Sequence, residues 1–271
     1  PLGQEHAVGM DMMALDDTTL TTLADRMLAD YDNATPGTVF AEGLRLTPPE
    51  AWRLQTAVAD LREARGERVV GYKIGCVCKG NQKMMGLTHP AWGRIWSSEL
   101  HETGADLQKA RYSNPSMEAE FAISLAAPVD PARTTAEELV EVIEAVYPVI
   151  EIHNFTLRGE EPRGAELIAN NAILAGVVRG APVSDIKAPR TTDLKLIYDG
   201  ETVDAWEGLE WPGGMLTAVG WLAERLAGLG KRLEAGDTIL TGAWGPPIPM
   251  DGRTRVDVTS SGFGDVSARF T

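Results

Sequence analysis

Cysteine is scarce in this chain of 271 residues, which has two, Cys76 and Cys78. Their C-x-C spacing makes a poor disulfide and lacks the second pair a zinc site needs. Buried reduced thiols are therefore expected, and with them a cytoplasmic location. Long apolar runs are also missing. No stretch approaches the ~20 residues that would cross a bilayer, so no membrane partner is expected. The acidic first forty residues do not resemble a signal peptide. Residues 1–10, which open on Pro-Leu-Gly, are expected to be a tag or a disordered start. Basic residues are in deficit, 25 against 39 acidic ones, a formal charge of −14. Such a surface repels phosphate backbones, and no Lys/Arg cluster offsets it, which excludes nucleic acid as a partner. A small anionic substrate would need local positive charge, which a divalent cation and a lysine would supply.

What is present reads as an α+β chain. Leu20, Leu23, Met27 and Leu28 recur at helical spacing, with Asp16 and Asp17 as cap candidates. Thr47-Pro-Pro-Glu50 has the form of a capping box opening a second helix, which runs to about Ala64 before Gly66. Residues 68–75 and 117–125 read as strands. Thr135 opens a further helix striped by Leu139, Val142, Ile143 and Val146, which Pro148 ends, and a strand follows over 149–153. Residues 91–112 show no clear period. In the C-terminal half, Asp199-Gly200 marks a hairpin between 194–198 and 202–206. Pro212 begins a helix through Leu226, and three strands follow at 237–242, 253–258 and 265–270. With no repeats or low-complexity linker, one domain is expected over 11–271. Its helical part covers about 16–66 and its mixed-sheet part about 67–271.

Glu118-Ala-Glu120 is the sharpest chemical feature. Alternate strand residues share a face, so both carboxylates point the same way and repel unless a cation or water screens them. Glu151 sits between apolar neighbours in a second short strand. Three carboxylates converging from two strands make a hard-oxygen site that suits Mg²⁺ or Mn²⁺. On spacing alone, a solvated pair of acids explains Glu118 and Glu120 as well. Lys73, in Gly71-Tyr-Lys-Ile-Gly75, needs a partner or a lowered pKa if its strand is buried. It can then act as a general acid or base, while the glycines let a ligand approach. An edge-strand lysine with its amine in water is the alternative. His153 shares a face with Glu151 and is either a further ligand, a proton shuttle or a hydrogen-bonded core residue. His89, His101, Trp92 and Trp96 fall in or beside the irregular segment. Residues 84–104 are expected to form a lid.

Gly71-Tyr-Lys-Ile-Gly75, Met117-Glu-Ala-Glu-Phe-Ala-Ile123, Pro148-Val-Ile-Glu-Ile152 and Gly236-Asp-Thr-Ile-Leu-Thr-Gly242 occur in that order. Together they resemble the 2-keto-4-pentenoate hydratase and 4-oxalocrotonate decarboxylase branch of the fumarylacetoacetate hydrolase superfamily, from about Thr47 to the end. The closing residues 262–270 are similar to that family's final strand. The resemblance implies a mixed β-sheet roll with a helical N-terminal part. It also implies Mg²⁺ or Mn²⁺ held at Glu118, Glu120 and Glu151, an essential lysine at Lys73, and a role in aromatic catabolism. A metal that chelates the carboxylate and 2-oxo group of a small 2-oxo acid would stabilise an enolate, with Lys73 moving the proton at the carbon chain.

The chain departs from that family where acids are usual: Ala91 and Asn154 stand in place of two of them, Asn170 replaces a third, and Ile173 replaces a hydroxyl. His89, His153, Asn171 and Ile173 are the expected pocket residues. The reading is a homo-oligomeric, metal-dependent lyase adding water to a 2-hydroxy-dienoate. The alternatives are decarboxylation of a 2-oxo diacid, C–C hydrolysis of an acylpyruvate, and an inactive subunit that stabilises a partner. The last would be expected to lose Lys73 or a ligand, and this chain keeps them all.

Overall fold

The computed structural model describes residues 15–35 and 37–271, so the expectation for residues 1–10 lies outside the described residues. Three helices come first: α1 (Asp17–Asp32), α2 (Thr38–Ala41) and α3 (Pro48–Ala64). Asp16 caps α1 by accepting from the Thr19 amide at 2.8 Å. Thr47 and Glu50 form the reciprocal capping box of α3. The chain then runs through β1 (Val69–Gly75), α4 (Lys79–Met84), β2 (Ala91–Trp96), β3 (Leu100–Glu102), β4 (Ala105–Leu107) and β5 (Pro115–Leu125). Next come α5 (Ala136–Val140), β6 (Ile143–Asn154), α6 (Gly164–Ala169), β7 (Leu174–Arg179), β8 (Arg190–Tyr198) and β9 (Glu201–Trp211). The last elements are α7 (Thr217–Ala227), β10 (Thr238–Leu240), β11 (Ile248–Pro249), β12 (Arg255–Ser260) and β13 (Gly264–Phe270).

The strands make two sheets. One is mixed and eight-stranded, in the order β2-β1-β10-β5-β6-β7-β3 with β11 beside β5; the other is five-stranded, in the order β4-β13-β12-β8-β9. This is the expected α+β roll. Because side chains alternate across a strand, each strand of the larger sheet has two faces of different chemistry. Phe121, Ile123, Ile150 and Ile152 point to one face and join Leu194, Leu196, Val256 and Val258 of the smaller sheet in the main core. Glu118, Glu120 and Glu151 point to the opposite face, beside an apolar patch of Ala122, Val149, Val177 and Leu240. The helices attach to this sheet through Gln55 of α3. Its amide donates to the carbonyls of Trp92 (3.0 Å) and Ile168 (2.8 Å), and its Oε1 accepts from Arg94 (2.7 Å).

Four expectations need correction. Residues 91–112 are not irregular: they hold β2, β3 and β4. All six residues of β2 are buried, so its sequence shows no alternation, and a buried strand paired to β1 cannot serve as a lid. Helix α5 is only five residues long, and the stripe from Ile143 onward belongs to β6, which passes straight through Pro148. Residue 148 pairs with Phe121 on one side; on the other, β7 ends opposite Val149, so no N–H is required there. The β-branched and aromatic run around it prefers the pleated, buried surface. Helix α7 begins at Thr217, after a 3₁₀ turn at Gly213–Leu216, rather than at Pro212. The close approach at Gly71 is to β10 rather than to a ligand. A Cβ there would lie 1.8 Å from the Thr238 carbonyl oxygen. The Asp199-Gly200 turn is as expected, with φ of 48° and 87°.

Gly71→Ala should therefore destabilise the protein by about 1–3 kcal/mol, because backbone must move to admit the methyl group. Thermal unfolding would show this as a lowered midpoint, and an unchanged midpoint would contradict the packing described.

Candidate active site

The cluster follows from strand register. Glu118 lies directly opposite Glu151 across β5 and β6, and Glu120 stands two residues further along the same face. Lys73 of β1 pairs with Leu240 of β10, which pairs with Ala122 of β5, so the lysine joins that face from two strands away. Its Nζ lies 2.8 Å from Glu151 Oε1. His153 Nε2 lies 2.9 Å from Glu118 Oε2 and 3.4 Å from Glu151 Oε2. Glu120 is fully buried and accepts from the Gly242 amide in the loop after β10. Lys73 is 4% exposed, Glu151 1% and His153 1%.

These groups set one another's protonation. Burial pushes the Glu120 carboxyl well above the usual range, and the facing charge of Glu151 adds to the shift. Burial also opposes charge on Glu151, but His153 and Lys73 outweigh it and hold that carboxyl far below the usual range. Within this pair Glu120 is therefore pushed toward its neutral form and Glu151 toward its charged form. Burial works against the His153 imidazolium as well, yet Glu151 and Glu118 win and lift its pKa to about 9. Lys73 is raised in the same way: Glu151 overcomes its desolvation.

A divalent cation fits these residues. Among the described residues, Glu118, Glu151 and His153 each offer a donor atom, all within 4.8 Å of one another. The buried oxygens Glu120 Oε2 and Glu151 Oε1 have no hydrogen-bond donor, although the Lys73 ammonium is close to the second. Oxygen donors with one imidazole suit a hard or borderline ion. The tightest donor set thus includes His153 and leaves Glu120 beside it, held by Gly242.

The other expected pocket residues make contacts of their own, and Asn171 lies over Gly93, the residue of β2 paired with Lys73. His89 stacks on Trp221 at 6.0 Å, and its Nδ1 is 2.8 Å from the Pro90 carbonyl. Asn171 clamps the Arg94 backbone, accepting from its amide at 2.7 Å and donating to its carbonyl at 2.9 Å. Ile173, buried in the apolar cluster under the helices, lines a small cavity of about 40 Å³ with Asn154 and Asn170. Asn154 accepts from the Ser113 amide, and Asn170 donates to the Glu166 carbonyl. Ala91 is fully buried in the same apolar cluster, so an acid at 91 would meet hydrocarbon. His101 sits on β3.

Sequence reasoning missed the cleft that adjoins the acids. About 710 Å³ in volume, it is lined by Val77, Gln82, Trp221, Gly242 and Trp244 among others. The signal was the glycine that ends Gly236-Asp-Thr-Ile-Leu-Thr-Gly242. Its φ of +109° favours glycine, and its amide serves Glu120.

No protein-family model matches the chain. The chain is 33% identical over 224 residues to the 2-keto-4-pentenoate hydratase of Burkholderia vietnamiensis (strain G4), covering 82% of this chain and 85% of that one. Its structure is similar to that of 4-oxalocrotonate decarboxylase from Pseudomonas putida G7 complexed with magnesium and adipate. The TM-score is 0.83 at 26% identity, over 95% of this chain and 99% of the other. The fold is shared with fumarylpyruvate hydrolase from Pseudomonas aeruginosa in complex with Mn²⁺ and pyruvate, at TM-score 0.55 and 18% identity over 74% of this chain and 88% of the other. The chain therefore belongs to the 2-keto-4-pentenoate hydratase family, and its fold is that of 4-oxalocrotonate decarboxylase.

Proposed function

We propose that this chain is a divalent-metal-dependent hydro-lyase that adds water to a 2-hydroxy-2,4-dienoate, the enol of a small 2-oxo acid. The observation that carries the reading is the buried Lys73–Glu151 pair inside a cluster of converging carboxylates, in a chain whose relatives are hydratases. Glu118, Glu120 and Glu151 would hold Mg²⁺ or Mn²⁺, with His153 placed to be a further ligand. When bound, the cation neutralises the carboxylates and polarises the carboxylate and 2-oxo head of the substrate. Lys73 carries the proton chemistry. Glu151 keeps it charged while burial works the other way. Its position on the cluster's face is suited to exchanging a proton with the substrate carbon chain. Gly242 holds Glu120 in place through its amide. The structural likeness to a decarboxylase favours loss of CO₂ from a 2-oxo diacid as the second reading.

We also propose that residues 11–271 act as a single catalytic domain, which the Gln55 bridge from helix to sheet supports. Among the described residues no helix is long and apolar enough to cross a membrane. Cys76 and Cys78 are free thiols, half-buried and exposed rather than buried as expected, and their reduced state supports a cytoplasmic location.

Three outcomes are expected. With Mg²⁺ or Mn²⁺, the protein should consume the dienol absorbance of 2-hydroxypenta-2,4-dienoate without releasing CO₂. CO₂ released from a 2-oxo diacid would favour the second reading, and turnover of neither substrate would overturn both. Lys73→Ala should lower turnover by at least about 10²-fold, the scale of a lost general acid or base, while metal affinity stays nearly intact. Unchanged turnover would make Lys73 structural. Finally, metal binding should release about one proton at neutral pH, because His153 is protonated below its pKa of about 9 and must lose that proton to coordinate. Metal affinity should therefore rise with pH up to that value. Titration calorimetry in buffers of different ionisation enthalpy measures the release, and the absence of any release would remove His153 from the ligands.

A further inference from the structure

The cleft beside the acids is larger and more apolar than a five-carbon acid requires. Thr241 and Gly242 line it, and the Gly242 amide donates to Glu120, so a single residue links the cleft to the proposed metal and substrate-head site. Its volume of about 710 Å³ is that of a pocket for a drug-sized ligand, a class that spans roughly 300–1,000 Å³. Two tryptophans form walls, and both are braced from behind. Trp221 stacks on His89 at 6.0 Å, His89 on Trp52 at 6.5 Å, and Trp52 on Trp92 at 5.1 Å, an aromatic column that runs into the core. Trp244 meets Phe121 edge to face at 5.9 Å. Its neighbour Gly245 is seated against Asp204, where a Cβ would lie 2.5 Å from the carboxylate. Both tryptophans remain half-exposed, and Val77, also on the cleft, is 37% exposed.

The charges in the cleft do not favour an acidic tail. Lys79 and Glu210 both line it, with opposite sign, and the Lys79 ammonium already donates to Gln82 Oε1 at 3.1 Å. A carboxylate there would lose water and gain little, whereas an apolar ring would cover the aromatic surface left open.

We propose that this cleft receives the far end of the substrate, and that this end is an apolar, ring-sized group rather than a second carboxylate. The inference rests on the reading that the acidic cluster and Lys73 bind a 2-oxo acid head. It is tested on the full chain loaded with Mn²⁺, by calorimetric binding of 4-phenyl-2-oxobutanoate, 2-oxopentanoate and 2-oxohexanedioate. The phenyl acid should bind at least about tenfold more tightly than the other two, a difference of about 1.4 kcal/mol. Trp221→Ala should reduce that advantage severalfold, and Trp221→Leu, which keeps an apolar wall, should reduce it less; thermal unfolding checks that each variant is folded. Equal binding of the three acids, or tighter binding of the diacid, overturns the inference and leaves the head-group reading standing. Failure of all three to bind overturns both.

Discussion

A buried lysine, a buried histidine and three glutamates share one face of a β-sheet, and the ion pair between Lys73 and Glu151 at 2.8 Å is the contact that makes this tolerable. Each charge taken from water costs several kcal/mol unless a partner offsets it. The cluster answers with alternating sign: Glu151 lies between Lys73 and His153, His153 between Glu151 and Glu118, while burial pushes Glu120 toward its neutral form. Remove Glu151, and the lysine and the imidazole are left facing each other in a dry interior.

That arrangement requires a rigid frame. The carboxylates meet because β5 and β6 pair in one register, with Glu118 against Glu151, and a slip of one residue would turn them into the core. Lys73 reaches them because β10 is wedged between β1 and β5, and Gly71 permits that parallel pairing at close range. The opposite face of the same strands packs on the second sheet through Phe121, Ile123, Ile150 and Ile152. One face thus contributes burial energy while the other carries the chemistry.

Much of this was legible in the chain. Capping chemistry announced α1 and α3, the Asp-Gly turn announced the β8–β9 hairpin, and the alternation of Glu118 and Glu120 with apolar residues announced a two-faced strand. The failures have a common cause. Ala91–Trp96 and Ile143–Asn154 are strands buried on both faces, which erases the period that a half-buried strand shows. Pro148 then read as a stop, although β7 ends before it and leaves no hydrogen bond for it to break. The placement of Asn171 and Ile173 was not legible locally: with φ of 55° and 56°, that segment turns so that Asn171 clamps β2 and Ile173 packs under the helices.

The sequence by itself determined which side chains could do chemistry: local periodicity puts Glu118 and Glu120 on one face and leaves Lys73 and Glu151 among apolar neighbours. Proximity across strands was a matter for the tertiary structure. It brought His153 to 2.9 Å from Glu118 and 3.4 Å from Glu151, and it set Gly242 against Glu120 across 122 positions of chain. It also gathered Trp221 and Trp244 around one cleft. Pairing register and the packing of one sheet on another depend on contacts distant in sequence, and no local pattern of residues records them.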